Sequence, residues 1–188
     1  MGFRGYKTEG TMASQKPKDL RIYRLLKPEL IRLWEHVDEP IDEETGEPIP
    51  LRPERITEIV LQKCVDVLDE NGAVKNKRKL FAELLFREKE NPTAIGDGIA
   101  IPHVRSVNVR ELVMCFLRFP EGVRMKSLDG EPVYFVFCIV VPKFLEDITG
   151  YQRIYRKLID WLRSSNFREE LSEAKDVGEV IRAIRMME

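Results

Sequence analysis

The chain has 188 residues, enough for one domain with a sizeable core, and 43% of them are hydrophobic while 34% are charged. This balance is typical of a globular domain with a heavily charged surface. The formal net charge is only −1, which does not supply the basic surface that nucleic-acid and anionic-membrane binders need. We therefore expect neither nucleic acid nor a membrane surface as a partner.

Residues 1–17 are polar and show no hydrophobic period, which predicts a flexible leader before a single domain over 18–188. The longest apolar run, 133–141, is too short to cross a bilayer, so we expect no direct membrane insertion. Cys64, Cys115 and Cys138 lie far apart in the sequence, in apolar surroundings, and are odd in number. They indicate reduced core thiols in a cytoplasmic protein, and their spacing is not that of metal ligands.

The N-terminal part of the predicted domain begins with a short apolar-patterned piece from residue 18, followed by a possible strand over 31–37. Acidic residues and prolines then crowd around Thr45-Gly46, which predicts a solvated loop or a small exposed hairpin. We interpret about 38–52 as an insertion into the domain.

Two helices are predicted next. Apolar residues recur at helical spacing after Pro53, and Asn71-Gly72 supplies a stop. A second helix is predicted over 75–90, ended by Asn91-Pro92. The apolar residues expected to point inward on this helix are Leu80, Phe81, Leu84 and Leu85.

The hydrophobic period then changes. Segments 95–101, 112–119 and 133–141 are predicted to be extended, and the last is apolar on both faces, as a central strand covered by helices must be. A helix carrying Tyr151 and Tyr155 on one apolar stripe follows Pro142, and two shorter helices are predicted to start at Asn166 and Asp176. Helices before, between and after strands indicate an α/β sandwich.

His103 follows a run of small and aliphatic residues that ends in Pro102. Because proline cannot continue a sheet ladder, we expect the strand to end there and His103 to lie at the rim of the sheet. Gly96 and Gly98 permit positive φ angles or a close approach of the backbone. From the residues alone, an ordinary rim histidine is the favoured interpretation.

The pair Arg87-Glu88 and the run TAIGDGIAIPH at 93–103 resemble the signature of the mannitol/fructose-type IIA components of the bacterial phosphotransferase system. That family shows an Arg-Glu pair and a run ending in Gly-x-Gly-Ile-Ala-Ile-Pro-His, and the spacing from Arg87 to His103 also fits. The resemblance extends from about residue 18 to the C-terminus. It implies a three-layer α/β sandwich around a mixed, mostly parallel sheet.

The resemblance further implies that His103 accepts a phosphoryl group, which Arg87, Thr93 and backbone N–H groups after His103 would stabilise. A neutral imidazole is a good nucleophile near neutral pH and an equally good leaving group. Neither a cofactor nor a metal is implied. Tyr151 aligns with the place where the family carries a second histidine, and Ala94 and Val104 stand where glycines are usual.

Two functions follow from this resemblance. The first is a phosphocarrier that is loaded by an HPr-like phosphohistidine protein and passes the group to a IIB component, or acts as a regulatory, nitrogen-type member on a regulated protein. The second is a non-catalytic interaction module of the same fold, which the replacement of the second histidine by Tyr151 suggests.

Overall fold

The computed structural model describes residues 21–144 and 148–188, so the predicted leader lies outside the described residues. The helices are α1 (Ile22–Leu25), α2 (Pro53–Glu70), α3 (Lys77–Glu90), α4 (Ile148–Leu162), α5 (Ser165–Glu173) and α6 (Val177–Met187), with a 3₁₀ turn at Pro28–Leu30. The strands are β1 (Ile31–Arg32), β2 (Ala94–Gly96), β3 (Ile99–Ala100), β4 (His103–Ser106), β5 (Val113–Val123) and β6 (Val133–Pro142).

The six strands form one mixed sheet in which β6 is central. β5 pairs with β6 antiparallel, while β3 and β4 follow one another along the other edge of β6, both parallel to it. β1 extends the sheet parallel to β5, and β2 extends it antiparallel to β3. Three of the five pairings are therefore parallel, which confirms the predicted mixed, mostly parallel sheet.

Helices cover both faces of this sheet because alternate residues of the two long strands point to opposite sides. Phe116 and Phe137 face a core shared with α4, α5 and α6, whereas Leu117 and Val136 face a core shared with α2 and α3. All four side chains are fully buried. The three-layer sandwich predicted from the resemblance is confirmed.

The segment before α2 differs from the prediction in one respect. The strand expected over 31–37 is only two residues long, Ile31–Arg32. Beyond it a single backbone hydrogen bond, from Glu35 N–H to Arg118 O, continues towards β5. Of the two forms predicted for the acidic segment, a loop or a small hairpin, the structure shows the hairpin. Ile41 and Pro48 form an antiparallel bridge, and the Asp42 carboxylate accepts hydrogen bonds from the backbone N–H groups of residues 44 and 45.

The C-terminal helices follow the predicted order with one boundary corrected. Asp176 caps α6 by accepting the backbone N–H of Glu179, as predicted. The preceding helix begins at Ser165, so Asn166 lies inside it, and its N-cap residue Ser164 makes no side-chain capping bond. The sequence pattern misplaced this start by two positions, because Asn166 is a common capping residue type but lies within the helix here.

The segment predicted as one extended run over 95–101 is a tight hairpin. Asp97 and Gly98 connect β2 to β3 with φ angles of 54° and 74°, the left-handed pair that a two-residue hairpin turn requires. At Gly98 a Cβ atom would lie 2.8 Å from Cδ2 of Tyr134, so the turn also needs glycine for space. The turn places β3 directly against the central strand.

His103 was expected to follow the end of a strand, and the structure corrects this. The chain leaves β3 at Ala100, passes Pro102, and resumes pairing as β4, with His103 opposite Ile139 of β6. Proline interrupts the ladder only locally, because the carbonyl of Pro102 still accepts the N–H of Ile139. His103 therefore opens an edge strand at the rim of the sheet.

Candidate functional site

His103 and Arg87 meet at the edge of the sheet. His103 opens β4, and Arg87 lies in the last turn of α3, the helix that packs beside β4. Nη2 of Arg87 is 3.2 Å from Nε2 of His103, and Nδ1 of His103 is 2.8 Å from the carbonyl oxygen of Ile101. Both side chains are half-buried. Arg87 and His103, two of the residues that the resemblance singled out, are thus in direct contact.

These two contacts determine the protonation of the imidazole. Since a carbonyl only accepts, Nδ1 carries the proton and donates it to Ile101 O, and Nε2 presents its lone pair to the Arg87 guanidinium. Burial lowers the pKa of His103 below its usual value of 6.5, and the Arg87 charge lowers it further, against the opposing effect of the Ile101 hydrogen bond. The ring is therefore neutral at neutral pH, with Nε2 unprotonated.

Arg87 is held by its own helix end. Its Nη1 donates to the carbonyl oxygen of Asn91 at 2.8 Å, just past the end of α3. Within residues 21–144 and 148–188, no carboxylate forms an ion pair with Arg87. Its positive charge is thus directed at the imidazole and is not neutralised there by an acidic side chain.

Thr93, which the resemblance implies as a phosphoryl-stabilising residue, is hydrogen-bonded to Glu88 in this structure. It is 4% exposed, and both its backbone N–H and its hydroxyl donate to the Glu88 carboxylate, at 2.9 and 2.6 Å. The hydroxyl proton is therefore directed at Glu88 in this structure. The carbonyl of Thr93 accepts the N–H of Ile101, which connects Glu88 to the segment that holds the imidazole.

Sequence reasoning missed Tyr155, which lies beside the imidazole. The ring centroids of His103 and Tyr155 are 4.9 Å apart at an interplanar angle of 59°, and Tyr151 lies one turn earlier on α4 with its ring centroid 6.2 Å from that of Tyr155. Burial raises the pKa of Tyr151 to about 12. The signal in the sequence was the shared helical stripe, since residues four apart lie on one face.

The three cysteines are buried free thiols, as the sequence predicted. Their spacing in the sequence did not indicate metal ligands. The structure instead brings the Sγ atoms of Cys64, Cys115 and Cys138 within 4.8 Å of one another. Their positions in the chain hide this because Cys115 and Cys138 are opposite residues on β5 and β6, and α2 packs on the same face.

The sequence comparison places the chain in a known class of proteins. Residues 55–186 match the family described as "Phosphoenolpyruvate-dependent sugar phosphotransferase system, EIIA 2". The chain belongs to this family, whose resemblance was carried by Arg87, Glu88 and the run at 93–103.

Curated relatives fall into sugar-transport and regulatory groups. The chain is 33% identical over 124 residues to the PTS system fructose-specific EIIABC component of Bacillus subtilis, covering 66% of this chain and 19% of that protein. It is 35% identical over 88 residues to a nitrogen regulatory protein of Bradyrhizobium diazoefficiens, covering 46% and 58%. The chain thus spans from about a fifth to three fifths of the length of the first curated relatives it matches.

Solved structures agree with this placement. The nitrogen regulatory protein IIA-Ntr of Neisseria meningitidis superposes with a TM-score of 0.70 at 26% identity, over 87% of this chain and 98% of that one. IIA mannitol of Escherichia coli superposes with a TM-score of 0.64 at 22% identity, over 85% and 98%, and shows the shared fold. No helix among the described residues is long and apolar enough to span a membrane.

Proposed function

We propose that the chain is a phosphocarrier that accepts a phosphoryl group on Nε2 of His103. The observation that supports this most directly is the 3.2 Å contact between Nε2 of His103 and the Arg87 guanidinium. A neutral nucleophile and an unneutralised cation meet at one half-buried rim position. Phosphoryl transfer depends mainly on positioning and on stabilising charge at the phosphoryl oxygens.

The transfer begins with His103 deprotonated at Nε2. As the donor's phosphohistidine approaches, Arg87 moves its donor from Nε2 to an equatorial phosphoryl oxygen, and the Nε2 lone pair attacks phosphorus. The N–P bond of the donor breaks, its electron pair stays on the donor imidazole, and an N–P bond forms to His103. The proton on Nδ1 remains with His103, and its hydrogen bond to Ile101 O stabilises the positive charge that develops on the ring.

Glu88 and the two tyrosines complete the site without changing charge. Glu88 holds Thr93, and through it the backbone before His103. Tyr151 stays protonated across the physiological range because burial raises its pKa to about 12. A phenol can donate a hydrogen bond, but it cannot become the cation that a second histidine would supply.

Two kinds of partner fit this chemistry. The upstream donor is an HPr-like phosphohistidine protein, and the recipient is a IIB component or a regulated protein. One solved neighbour is a complex of IIA mannitol with phosphorylated IIB mannitol from Escherichia coli. Both branches have relatives of similar identity, the nitrogen regulatory proteins and the fructose-specific components.

A second candidate is a non-catalytic interaction module that uses the same site to bind partners. It is favoured by one observation, that the ring beside His103 on α4 is Tyr155, with Tyr151 one turn earlier, and not a histidine.

The deciding experiment is phosphorylation from phosphoenolpyruvate by the system's first enzyme and HPr, followed by intact mass. The phosphocarrier gains one acid-labile phosphoryl group, and the His103→Ala variant gains none. A folded wild-type protein that stays unmodified with HPr from its own source organism would favour the interaction module. In that case Tyr155→His and Tyr151→His are the variants in which to look for restored acceptance.

A further inference from the structure

The cysteine cluster, defined as Cys64 of α2, Cys115 of β5 and Cys138 of β6, lies outside the site just described. All three residues are free thiols with no exposed surface. We propose that the cysteine cluster is a binding site for a single trivalent thiophilic ion, for which arsenite is the simplest probe.

The separation of the sulfurs suits one ion held by all three. The Sγ atoms lie within 4.8 Å of one another, so a point exists that is no more than about 2.8 Å from each of them. A bond from a soft ion to a thiolate is about 2.3 Å long for zinc. Inward shifts of a few tenths of an ångström would therefore bring all three sulfurs into bonding distance.

The framework of the cluster is rigid. Cys115 and Cys138 are directly opposite residues of the antiparallel β5–β6 pair, the longest pairing in the sheet. Cys64 lies on α2, which packs on the sheet face that carries Cys115 and Cys138. The Cys115 thiol lies 3.7 Å from the backbone carbonyl oxygen of Cys64 and donates to it. The three sulfurs are thus preorganised by elements far apart in the chain, so little order has to be created when an ion binds.

Charge balance selects a trivalent ion. All three sulfurs are fully buried in an apolar core. Three thiolates around a divalent ion would leave one negative charge buried, which is costly. Arg32 is paired with Glu70 at 2.9 Å and so does not supply an unpaired positive charge to balance it. A trivalent ion leaves no net charge.

The binding reaction balances without a redox step. Arsenious acid carries three hydroxyl groups on arsenic. Each As–O bond breaks as an As–S bond forms, and each departing hydroxide leaves as water with the proton of one thiol. One acid molecule and three thiols therefore give one neutral trithiolate and three waters. Because the cluster is fully buried, the ion enters during local opening of the α2 layer, so binding is slow.

The test combines intact mass under native conditions with thermal unfolding. We expect wild type to gain one arsenic and lose three hydrogens, and its unfolding midpoint to rise with arsenite concentration, because the ligand binds the folded state. Cys64→Ala, Cys115→Ala and Cys138→Ala should each weaken binding at least tenfold, while His103→Ala should bind as wild type does. Zinc is the divalent comparison and should bind more weakly.

A second measurement does not depend on the variants folding. Arsenite should protect all three wild-type thiols from alkylation when the protein is unfolded after binding. The proposal is overturned if wild type binds no arsenic, or if the midpoint falls, since that places the ion on the unfolded chain. The proposal is also overturned if any one of the folded alanine variants binds arsenite as tightly as wild type does. Tighter binding of zinc than of arsenite would overturn it as well.

Discussion

At the scale of single residues, burial and the contacts with Ile101 and Arg87 together set the charge and the direction of the imidazole. Burial, with the Arg87 guanidinium adding to it, keeps the pKa of His103 below its usual value, so the ring is a nucleophile. Arg87 also occupies the approach to Nε2, at 3.2 Å. Before transfer, the Arg87 side chain therefore occupies the lone pair of Nε2. During transfer, it would stabilise the negative charge of the phosphoryl oxygens.

Replacing Arg87 with glutamine should slow acceptance of the phosphoryl group by about 10²- to 10³-fold, the cost of losing one preorganised donor. Stability should change little, because Arg87 is half-buried and makes no ion pair with a described carboxylate. The measurement is the rate of phosphorylation by phospho-HPr in rapid-quench experiments. Arg78→Gln on the exposed face of α3 is the matched control, and equal rates for the two variants would contradict the assigned role.

Tyr155 should set the titration of His103. Since burial is the largest cause of the lowered pKa, removing the ring with Tyr155→Ala should raise the pKa of His103 towards 6.5, whereas Tyr155→Phe should leave it near the wild-type value. Wild type should reach half-protonation of the imidazole only at a pH below 6.5. Proton NMR of the imidazole measures both effects, and a wild-type pKa above 6.5 would refute the argument.

At the scale of elements, the turn between α3 and β2 is organised by Glu88. Its carboxylate accepts two hydrogen bonds from Thr93, whose carbonyl in turn accepts the N–H of Ile101. Ile101 is also the residue whose carbonyl holds the imidazole. A helix end and a strand start are thus joined through one buried carboxylate.

Glu88→Ala should lower the free energy of unfolding by about 1–3 kcal/mol, because it leaves the buried N–H and hydroxyl of Thr93 without their acceptor. Burial raises the pKa of Glu88 in the folded protein. Protonation of Glu88 therefore adds to the free energy of unfolding at a pH below the pKa of Glu88 in the unfolded chain, and this contribution is lost as the pH rises through its pKa in the folded protein. The loss in Glu88→Ala should therefore be larger at acid pH. Urea unfolding at two pH values measures it, with exposed Glu90→Ala as the control.

The sequence predicted the elements of this site better than its contacts. Helical spacing and the run at 93–103 located α3 and His103 because these signals are local. The choice between Tyr151 and Tyr155 depends on how far α4 is shifted along the sheet, and residues four apart carry the same helical signal. The strand β4 was missed because Pro102 interrupts the alternation of apolar residues that marks a strand. Its pairing partner β6 lies far along the chain, so no local signal shows the pairing.

At the scale of the whole molecule, the sandwich assembles its site from all three layers. Arg87 comes from the layer of α2 and α3, His103 from the sheet edge, and Tyr155 from the layer of α4. The far end of the sheet is tied by Arg118 of β5, which is 3% exposed. Its guanidinium donates to four backbone carbonyls, those of Leu33, Leu171, Ser172 and Ala174.

Arg118→Met should destabilise the fold by at least about 1–3 kcal/mol, since it leaves buried carbonyls of two chain segments without a donor. Arg118→Lys keeps a cation and should lose less. Chemical denaturation measures the free energy of unfolding, and phosphorylation of the variants well below their unfolding midpoints should match wild type. A methionine variant as stable as wild type would show that water or other donors replace the guanidinium.

The hydrogen bond from Nδ1 of His103 to the carbonyl two residues earlier has a consequence for the chemical form of the product. It leaves only the nitrogen remote from the main chain open, so the proposed phosphohistidine is the tele isomer and not the pros isomer. The hydrogen bond between His103 and Ile101 alone selects the isomer, so the donor protein does not have to distinguish the two nitrogens. Phosphorus NMR of the loaded protein, which separates the two isomers by chemical shift, would report it directly.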